Sequence, residues 1–419
     1  MSDMHKIRKI PQKDFDALVT IVANAYPGFG IVTDEDRRRA KRNLLGAQRQ
    51  DPTICFYGLY RSGKLIGIMR LHDFAMNIFS KMVPVGGVGM VAVDLAHKKE
   101  KVCKELIDYF LEHYLKKGAC LAVLYPFRPD FYRKMGFGYG VKHNEYRIAP
   151  GDLPRGKSKK HVQLAPKFNE KALTDCYNRV ARRRHGMIEK CRYEWRFVKR
   201  PENRVVVYRE DGKIRGYIVF TFKKVMPDQP LTNNLNIVEL VYENRIVFRE
   251  LMTFLHTQTD QVNRVVFSTQ DDNLHFLPFD PRDGSRENVG RLSHRCNLQG
   301  IGAMYRVIDI PGIFRLLKEH NFGRQNLRLR MSIHDSFFAA NSGNTIIHFV
   351  NGKPHLKRSG NYDATITLDI SDFSSLLMGS VDFRSLYLYG LADISDAAHV
   401  NTVNRLFRVE ERPDTITQF

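Results

Sequence analysis

The apolar residues of the first 150 positions follow two patterns, a helical spacing of three or four residues and shorter strand-like stretches. Apolar side chains three or four residues apart predict one helix that ends before Pro27 and another over residues 99–115. A further helix should begin at Thr33, whose hydroxyl can cap the three acidic residues that follow it. The buried face of the first helix would carry Phe15, Leu18, Val19, Val22 and Tyr26.

Shorter apolar stretches in the same region predict strands at residues 53–60, 65–72, 83–93, 120–125 and 139–148, with a short helix around residues 130–135. The strand over residues 83–93 contains Gly86, Gly87 and Gly89, which indicates a bulge or kink within it. The predicted order of elements describes a mixed α/β layer in a single domain.

Two more segments follow a linker rich in Pro and Gly at residues 150–158. The second predicts helices near residues 167–184 and 246–257, with strands at 204–208, 215–222 and 236–240. The third predicts strands at 304–310, 327–333, 345–349 and 362–370, helices at 311–320 and 371–378, and an extended tail at 412–419. The predicted fold class is therefore α/β (α+β), with domains at residues 1–150, 151–305 and 306–419.

Composition and cysteine spacing exclude several classes of protein. No run of about 18 apolar residues occurs, so we expect no membrane span and no membrane partner. The N-terminus has basic residues without a following apolar stretch, so no secretory signal is expected. The six cysteines include no Cys-x-x-Cys pair, which argues against a zinc site or a disulfide framework. A cytoplasmic protein without a metal is the expectation.

The formal net charge of +21 suggests a polyanionic partner. The charge is spread over the first two segments instead of one arm or helix, and the third segment is nearly neutral. We therefore predict no nucleic-acid partner and expect a small polyanion instead. A non-enzymatic basic protein that binds nucleic acid or lipid remains the alternative.

Residues 91–104 carry the main chemical signal. A strand of small apolar residues leads through a loop with Lys98, Lys99 and Lys101 into a helix. The first N–H groups of a helix have no partner within the helix and bind anions, of which a pyrophosphate is one. An ordinary strand, loop and helix with solvated lysines explains these residues equally well.

The second signal is the stretch Phe131–Gly138, which follows the next predicted strand. Adjacent strands that splay apart would leave a slot, with Tyr132 on the short helix beside it. A phenol has a pKa of about 10 and a thiol about 8.5, so Tyr132 could protonate a departing thiolate. For a single tyrosine, packing is the more common role.

These residues resemble a known family. A strand with Val-x-Val, a basic loop, a helix, a strand and Phe-Tyr-x-x-x-Gly-Phe resemble the GNAT acetyltransferases, and the whole chain resembles the enhanced intracellular survival (Eis) type of bacterial N-acetyltransferase. That type joins a GNAT domain, a degenerate GNAT-like domain and a sterol-carrier-protein-like domain. In the second segment Gly186, Arg192 and Trp195 match its pattern, and in the third residues 304–309 and 371–379 do.

The resemblance implies acetyl-CoA as co-substrate and assigns roles by position. Tyr132 would be the general acid, and the α-carboxylate of Phe419 would be the general base. Lys101 and Cys103 depart from the family, which has small residues at these two positions of its phosphate loop. The residues assigned to the cofactor are Val91, Ala92, Val93, Lys99, Glu100, Lys101, Val102, Cys103, Lys104, Phe127 and Arg128.

The resemblance also implies a primary-amine acceptor, on a small molecule such as an aminoglycoside, acetylated at more than one position, or on a peptide. Acetylation of protein lysines is the enzymatic alternative. A chain of charge +21 repels a polycation at long range, so such an acceptor requires a local acidic pocket. Tyr26 and Phe29 are candidate walls of that pocket. The family forms hexamers, so we expect a homo-oligomer.

Overall fold

The computed structural model describes residues 6–165, 168–228 and 230–419. Its helices are α1 (Phe15–Ala25), α2 (Asp34–Gln50), α3 (Val102–Lys116), α4 (Pro129–Arg133), α5 (Glu170–Ala181), α6 (Trp195–Val198), α7 (Arg245–His256), α8 (Ile310–Leu316), α9 (Ile370–Leu377), α10 (Phe383–Leu388) and α11 (Val400–Phe407). No helix of these described residues is both long and apolar enough to cross a membrane.

The strands are β1 (Lys6–Lys9), β2 (Ile54–Arg61), β3 (Lys64–Ile78), β4 (Lys81–Val93), β5 (Leu121–Leu124), β6 (Gly138–Tyr139), β7 (Lys142–Ile148), β8 (Val162–Leu164), β9 (Asn203–Glu210), β10 (Lys213–Lys224), β11 (Asn233–Tyr242), β12 (Val262–Thr269), β13 (Asn288–Val289), β14 (Ser293–His294), β15 (Asn297–Ile301), β16 (Met304–Val307), β17 (Leu327–His334), β18 (Gly343–Val350), β19 (Lys353–Lys357), β20 (Ala364–Asp369) and β21 (Ala392–Ile394). Their orders in the three larger sheets are β1-β2-β3-β4-β5-β16-β6, β15-β7-β12-β11-β10-β9-β8 and β19-β18-β17-β20-β21.

The elements predicted from local signals are confirmed. Helix α1 ends where Pro27 follows, and α2 begins after Thr33. The Thr33 hydroxyl accepts from the Asp36 N–H at 3.1 Å, and the Asp36 carboxylate accepts from the Thr33 N–H at 3.0 Å, which forms a complete capping box. Strand β4 has the expected bulge, because its register against β3 shifts between Gly89 and Ala92.

Other boundaries of the predicted elements are wrong. The helix expected from residue 99 begins at Val102, and the start of the helix expected near residue 167 lies outside the described residues, with α5 beginning at Glu170. The strand expected over residues 139–148 is two strands. Strand β6 belongs to the first sheet and β7 to the second, while β16 returns to the first sheet between β5 and β6. The first two sheets are therefore linked by crossing strands.

The third sheet and its helices share a hydrophobic core with the first sheet. Phe74 and Val85 of the first sheet lie in one buried cluster with Leu329 of β17 and Phe373 of α9. A fully buried ion pair also links the first and third sheets. The Nη2 atom of Arg306 on β16 donates to Asp335, which follows β17, at 2.7 Å. The placement of the third segment is thus fixed by packing and by a buried charge pair.

Gly136, in the turn after α4, generates a stability prediction. It has a φ of 79°, and an added Cβ would stand 1.4 Å from the Nη1 atom of Arg306. Gly118→Ala is the matched control, since its φ is 78° and no described atom lies within 4 Å of the added Cβ. We expect the control to lose about 1 kcal/mol, which lowers the Tm of a chain of 419 residues by about 1 °C.

Gly136→Ala should lose about 3 kcal/mol or more, because it displaces one partner of a buried ion pair. Differential scanning calorimetry of the two variants beside the wild type measures the difference. Equal losses in the two variants would show that Arg306 imposes no constraint on Gly136.

Candidate active site

A slot opens between β4 and β5 in the first sheet. The two strands pair in parallel only from Val85 with Leu121 to Gly87 with Val123, although β4 continues to Val93. The bulge lies within the part of β4 that does not pair with β5, where Met90 has a φ of 49°. The Tyr26 hydroxyl donates to the Val91 carbonyl oxygen at 2.7 Å. The predicted slot at the end of β4 is therefore present.

The loop after β4 has the backbone shape of a glycine loop without its glycine. Lys99 and Lys101 have φ values of 68° and 63°, in the left-handed region that glycine occupies without steric cost. Each non-glycine residue there costs about 1–2 kcal/mol. Lys101 is also the N-cap of α3, and its own side chain makes no capping hydrogen bond. The first N–H groups of a helix are donors that bind anions.

The other residues assigned to the cofactor have different surroundings. Glu100 pairs with Arg61 at 2.5 Å and contacts His97 at 3.1 Å, and hydrogen bonds from these two residues lower its pKa. The Lys104 ammonium lies 5.5 Å from the centre of the Phe337 ring, toward the third segment. Phe127 is exposed, and the exposed Arg128 pairs with its neighbour Asp130. Lys104 and Glu100 are thus engaged by protein groups.

Tyr132 lies on α4 and is only 3% exposed. The rings of Phe127, Phe131 and Phe137 surround it, each roughly edge-on and 5.4–6.0 Å away between centres. Burial raises its pKa above the ordinary range, and the nearby Cys103 thiol raises it further. The Tyr132 hydroxyl is therefore protonated at neutral pH, as a proton donor must be.

The chain's tail is held between the second segment and the first. The Thr415 N–H donates to the Gln270 side-chain oxygen at 2.6 Å, and the Gln270 amide donates back at 3.1 Å. The Thr415 hydroxyl donates to the Gly186 carbonyl at 2.8 Å and accepts from Tyr305 at 2.9 Å. A Cβ on Gly186 would approach Pro413 within 2.6 Å, so this glycine allows the tail to pass.

Phe419 ends beside the bulge of β4. Its ring packs against Phe74, His72 and Tyr125, at 4.9, 5.4 and 5.2 Å between ring centres. Its carboxyl carbon and one oxygen lie 3.4 and 3.5 Å from the point where a Cβ on Gly89 would stand. The end of the third segment thus reaches the strand that carries residues 91–93.

A cavity of about 2250 Å³ extends from Phe419 and Tyr125 along the second sheet and the tail. Its lining includes nine Asp or Glu side chains and six Lys or Arg side chains. This local acidic excess contrasts with the net charge of +21 of the chain. The acidic pocket that a cationic acceptor requires is present at the end of the chain.

Three residues near the end of the chain were not predicted from the sequence: His72 contacts the Phe419 ring, Arg70 borders its carboxyl group at Gly89, and Tyr193 bonds Arg70. Arg70 and His72 are polar residues within the apolar strand β3, and both are buried. A buried polar side chain is rare without a partner, so this interruption of an apolar strand was the available signal. Their partner on the tail is remote in sequence.

The second sheet has a comparable strand and helix, β11 and α7, but the helix start is closed. The Asn244 side chain accepts from the N–H groups of Ile246 and Val247 at 2.9 and 3.1 Å. Glu243, beside it, pairs with Arg179 and with Arg215. The chain's own groups thus occupy the position that an anion would need there.

Comparisons with known proteins agree with this geometry. Residues 6–140 and 186–300 each match a model of the acetyltransferase (GNAT) domain, and residues 314–414 match a sterol carrier protein domain. The chain is similar in structure to a GCN5-related N-acetyltransferase from Anabaena variabilis, with a TM-score of 0.80 at 19% identity over 99% of this chain and 100% of that one. Eis1 from Mycobacterium abscessus has a TM-score of 0.77 at 18% identity, with the same coverage.

A GCN5-related N-acetyltransferase from Kribbella flavida likewise covers 99% of this chain and 100% of its own, with a TM-score of 0.74 at 18% identity. No curated protein matches the chain. The expected fold class and the order of two GNAT domains and a sterol-carrier domain are confirmed. GNAT domains use acetyl-CoA as co-substrate.

Lys101 allows the backbone and the charge of the loop to be tested separately. Lys101→Gly and Lys101→Val both remove the ammonium, but only glycine adopts a φ of 63° without cost. We expect acetyl-CoA to raise the Tm of the glycine variant nearly as much as that of the wild type, and to raise that of the valine variant much less. Thermal-shift measurements with saturating acetyl-CoA provide the comparison. An equal loss in both variants would assign the interaction to the ammonium.

Proposed function

We propose, from the premise that this chain is an N-acetyltransferase with two GNAT domains, a sterol carrier domain and the fold of the Eis type, that it acetylates a primary amine bound beside its own C-terminus. The observation that carries the proposal is the position of the Phe419 carboxyl group against Gly89, at the bulge of β4. A carboxylate at this point lies between the slot and the acidic cavity.

The slot and the loop after it fit acetyl-CoA. Backbone groups of Val91, Ala92 and Val93 would bind the pantetheine arm, since the end of β4 has no partner in β5. The N–H groups at the start of α3, which the Lys101 side chain does not cap, would bind the pyrophosphate. When bound, acetyl-CoA supplies the acetyl group as a thioester. The remaining residues assigned to it are Lys99, Glu100, Lys101, Val102, Cys103, Lys104, Phe127 and Arg128.

Two groups of this chain would move protons. The Phe419 carboxylate takes the proton that the acceptor nitrogen loses as it forms the amide bond. The Tyr132 hydroxyl donates its proton to the sulfur of coenzyme A as the carbon–sulfur bond breaks. Its raised pKa keeps that proton available at neutral pH. The products are an N-acetylated amine and the free thiol of coenzyme A.

The acceptor belongs in the acidic cavity. Nine carboxylates would attract a cationic amine, and the volume of about 2250 Å³ exceeds the 300–1,000 Å³ of usual ligand sites. An aminoglycoside could therefore present different amines and be acetylated at more than one position. Tyr26 and Phe29, the expected walls of the acceptor pocket, do not line this cavity; their rings stack on each other, and Tyr26 contacts Val91 at the slot.

A protein lysine is the second candidate acceptor, because a cavity of this volume could admit a lysine side chain with its flanking peptide. The proposal includes a homo-oligomer, a hexamer by resemblance to the family, which light scattering would report. Exposed apolar side chains of the second domain suit such an interface, among them Phe276, Phe279, Leu292 and Ile301. Six free cysteines suit a reducing cytoplasm.

Tyr132→Phe should lower kcat about 10²-fold, because it keeps the ring and removes only the proton donor. Tyr114→Phe is the matched control, since Tyr114 is also 3% exposed in the same core but donates to Asp73. Thiol release from acetyl-CoA with a panel of amines and peptides measures turnover, and a thermal shift measures binding. Unchanged turnover in Tyr132→Phe would leave Tyr132 with a packing role only.

Moving the terminal carboxylate tests the base. Deleting Phe419, or adding Gly-Ser after it, should abolish acetyl transfer while acetyl-CoA still raises the Tm. The extension retains the Phe419 ring and removes only its carboxylate, so it separates chemistry from packing. Mass spectrometry of the acceptor measures acetylation. Normal acetylation by the extended protein would refute the terminal base, whereas the fold assignment would stand.

A further inference from the structure

We propose that Arg70 is a positioning residue that binds the terminal carboxylate of Phe419 and keeps it ionised and oriented. This inference rests on the proposed function, since it concerns the group assigned there as the base. It adds a residue of the first domain to the machinery that places the end of the chain.

Arg70 is 4% exposed on β3, and two of its three nitrogens already have partners. Its Nε–H donates to His72 Nε2 at 2.8 Å, and its Nη1 donates to the Tyr193 hydroxyl at 2.5 Å. The guanidinium carbon lies 4.6 Å from the centre of the Tyr193 ring. These contacts hold the plane of the guanidinium and leave Nη2 to reach another group.

The charge of Arg70 lacks a carboxylate side chain to balance it. Within the described residues no Asp or Glu forms an ion pair with it, and Arg196 donates to the same Tyr193 hydroxyl at 2.9 Å. Burial lowers the pKa of Arg70, which reflects the cost of a cation inside the protein. A buried charge is strongly destabilising unless an opposite charge compensates it.

The terminal carboxyl group is placed to supply that charge. Gly89 lies directly opposite Arg70 in the ladder between β3 and β4. The point where a Cβ on Gly89 would stand is 3.3 Å from Arg70 Nη2 and 3.4 and 3.5 Å from the Phe419 carboxyl carbon and oxygen. The Arg70 guanidinium and the Phe419 carboxyl group therefore border the same gap, which the missing side chain of Gly89 leaves.

The chemistry of the pair follows from guanidinium geometry. A planar guanidinium gives strong, directed hydrogen bonds to a carboxylate, so it fixes orientation as well as charge. A nearby cation lowers a carboxyl pKa by about 1–3 units, from an ordinary α-carboxyl value of about 3.5. Other charged or titratable groups around this end of the chain are His72 on β3, Tyr193 before α6, Arg196 in α6, Tyr125 after β5, Tyr26 after α1 and Glu194 near Gln418.

The test observes the carboxylate directly. The full-length protein is labelled with [1-¹³C]phenylalanine, and the signal of Phe419 is assigned by its absence from the Phe419 deletion. The Phe419 signal moves when its α-carboxylate takes up a proton. In the wild type we expect no such movement down to the lowest pH at which the protein stays folded. In Arg70→Gln the titration should move upward by about 1–3 pH units. Arg70→Lys should stay close to the wild type.

Arg196→Gln is the matched control, because Arg196 contacts the same tyrosine without reaching Gly89. Arg70→Gln should lower kcat about 10²-fold, with Arg70→Lys intermediate and the thermal shift by acetyl-CoA retained. If Arg70→Gln does not fold, kcat of Arg70→Lys tests the inference instead. Its ammonium reaches less far than the guanidinium, so kcat must fall.

A terminal titration that is the same in Arg70→Gln, Arg196→Gln and the wild type would overturn the inference. So would full activity in both Arg70 variants. Normal acetylation by the Gly-Ser extended protein is a different outcome, since it refutes the terminal base and leaves the titration of Phe419 in the Arg70 variants as an independent result.

Discussion

The fixed position of the last residue is the constraint on which this site depends. A general base must lie within hydrogen-bonding reach of the proton it removes, and a chain end is ordinarily the most mobile part of a domain. Here the tail is paired along its length. Gln270 bonds both the N–H and the carbonyl of Thr415, and the Thr417 hydroxyl lies 3.3 Å from the Tyr177 hydroxyl. The ring of Phe419 completes the attachment by packing in the first domain.

The second domain supplies much of that attachment, since Gln270 and Tyr177 both belong to it. Glu194 is buried beside Lys190 and Glu239, and Lys190 lies 2.5 Å from Glu239 and 3.6 Å from Glu194. Two carboxylates share one ammonium, and burial raises the pKa of Glu194 to about 7. Such a cluster is costly unless hydrogen bonds satisfy it, and the Cys191 N–H donates to Glu194 at 3.0 Å while the Tyr217 hydroxyl donates to Glu239. Domain and tail therefore stabilise each other.

Local signals in the sequence were sufficient for much of the fold. The capping box at Thr33 and the bulge near Gly89 depend on neighbouring residues, and both are confirmed. The crossing strands β6, β7 and β16 pair with strands more than about 110 positions away in the sequence, and a local hydrophobic period carries no information about such pairing. The same limit applies to Arg70, whose role depends on a residue at the far end of the chain. Lys101 could not be predicted either, because the loop holds its backbone in the left-handed region, which a lysine normally avoids.

Charge connects the third domain to the choice of acceptor. The net charge of +21 acts at a distance, but salt screens it within about 8 Å at physiological ionic strength. Inside the cavity the nearest charges set the electrostatic potential, and carboxylates outnumber the Lys and Arg side chains there. Several of them, including Asp382, Glu410 and Glu411, come from the third domain and the start of the tail. Because that domain shares its core with the first sheet, these acids are fixed relative to the slot. The domain that delivers the terminal carboxylate thus also makes its surroundings favourable for a cation.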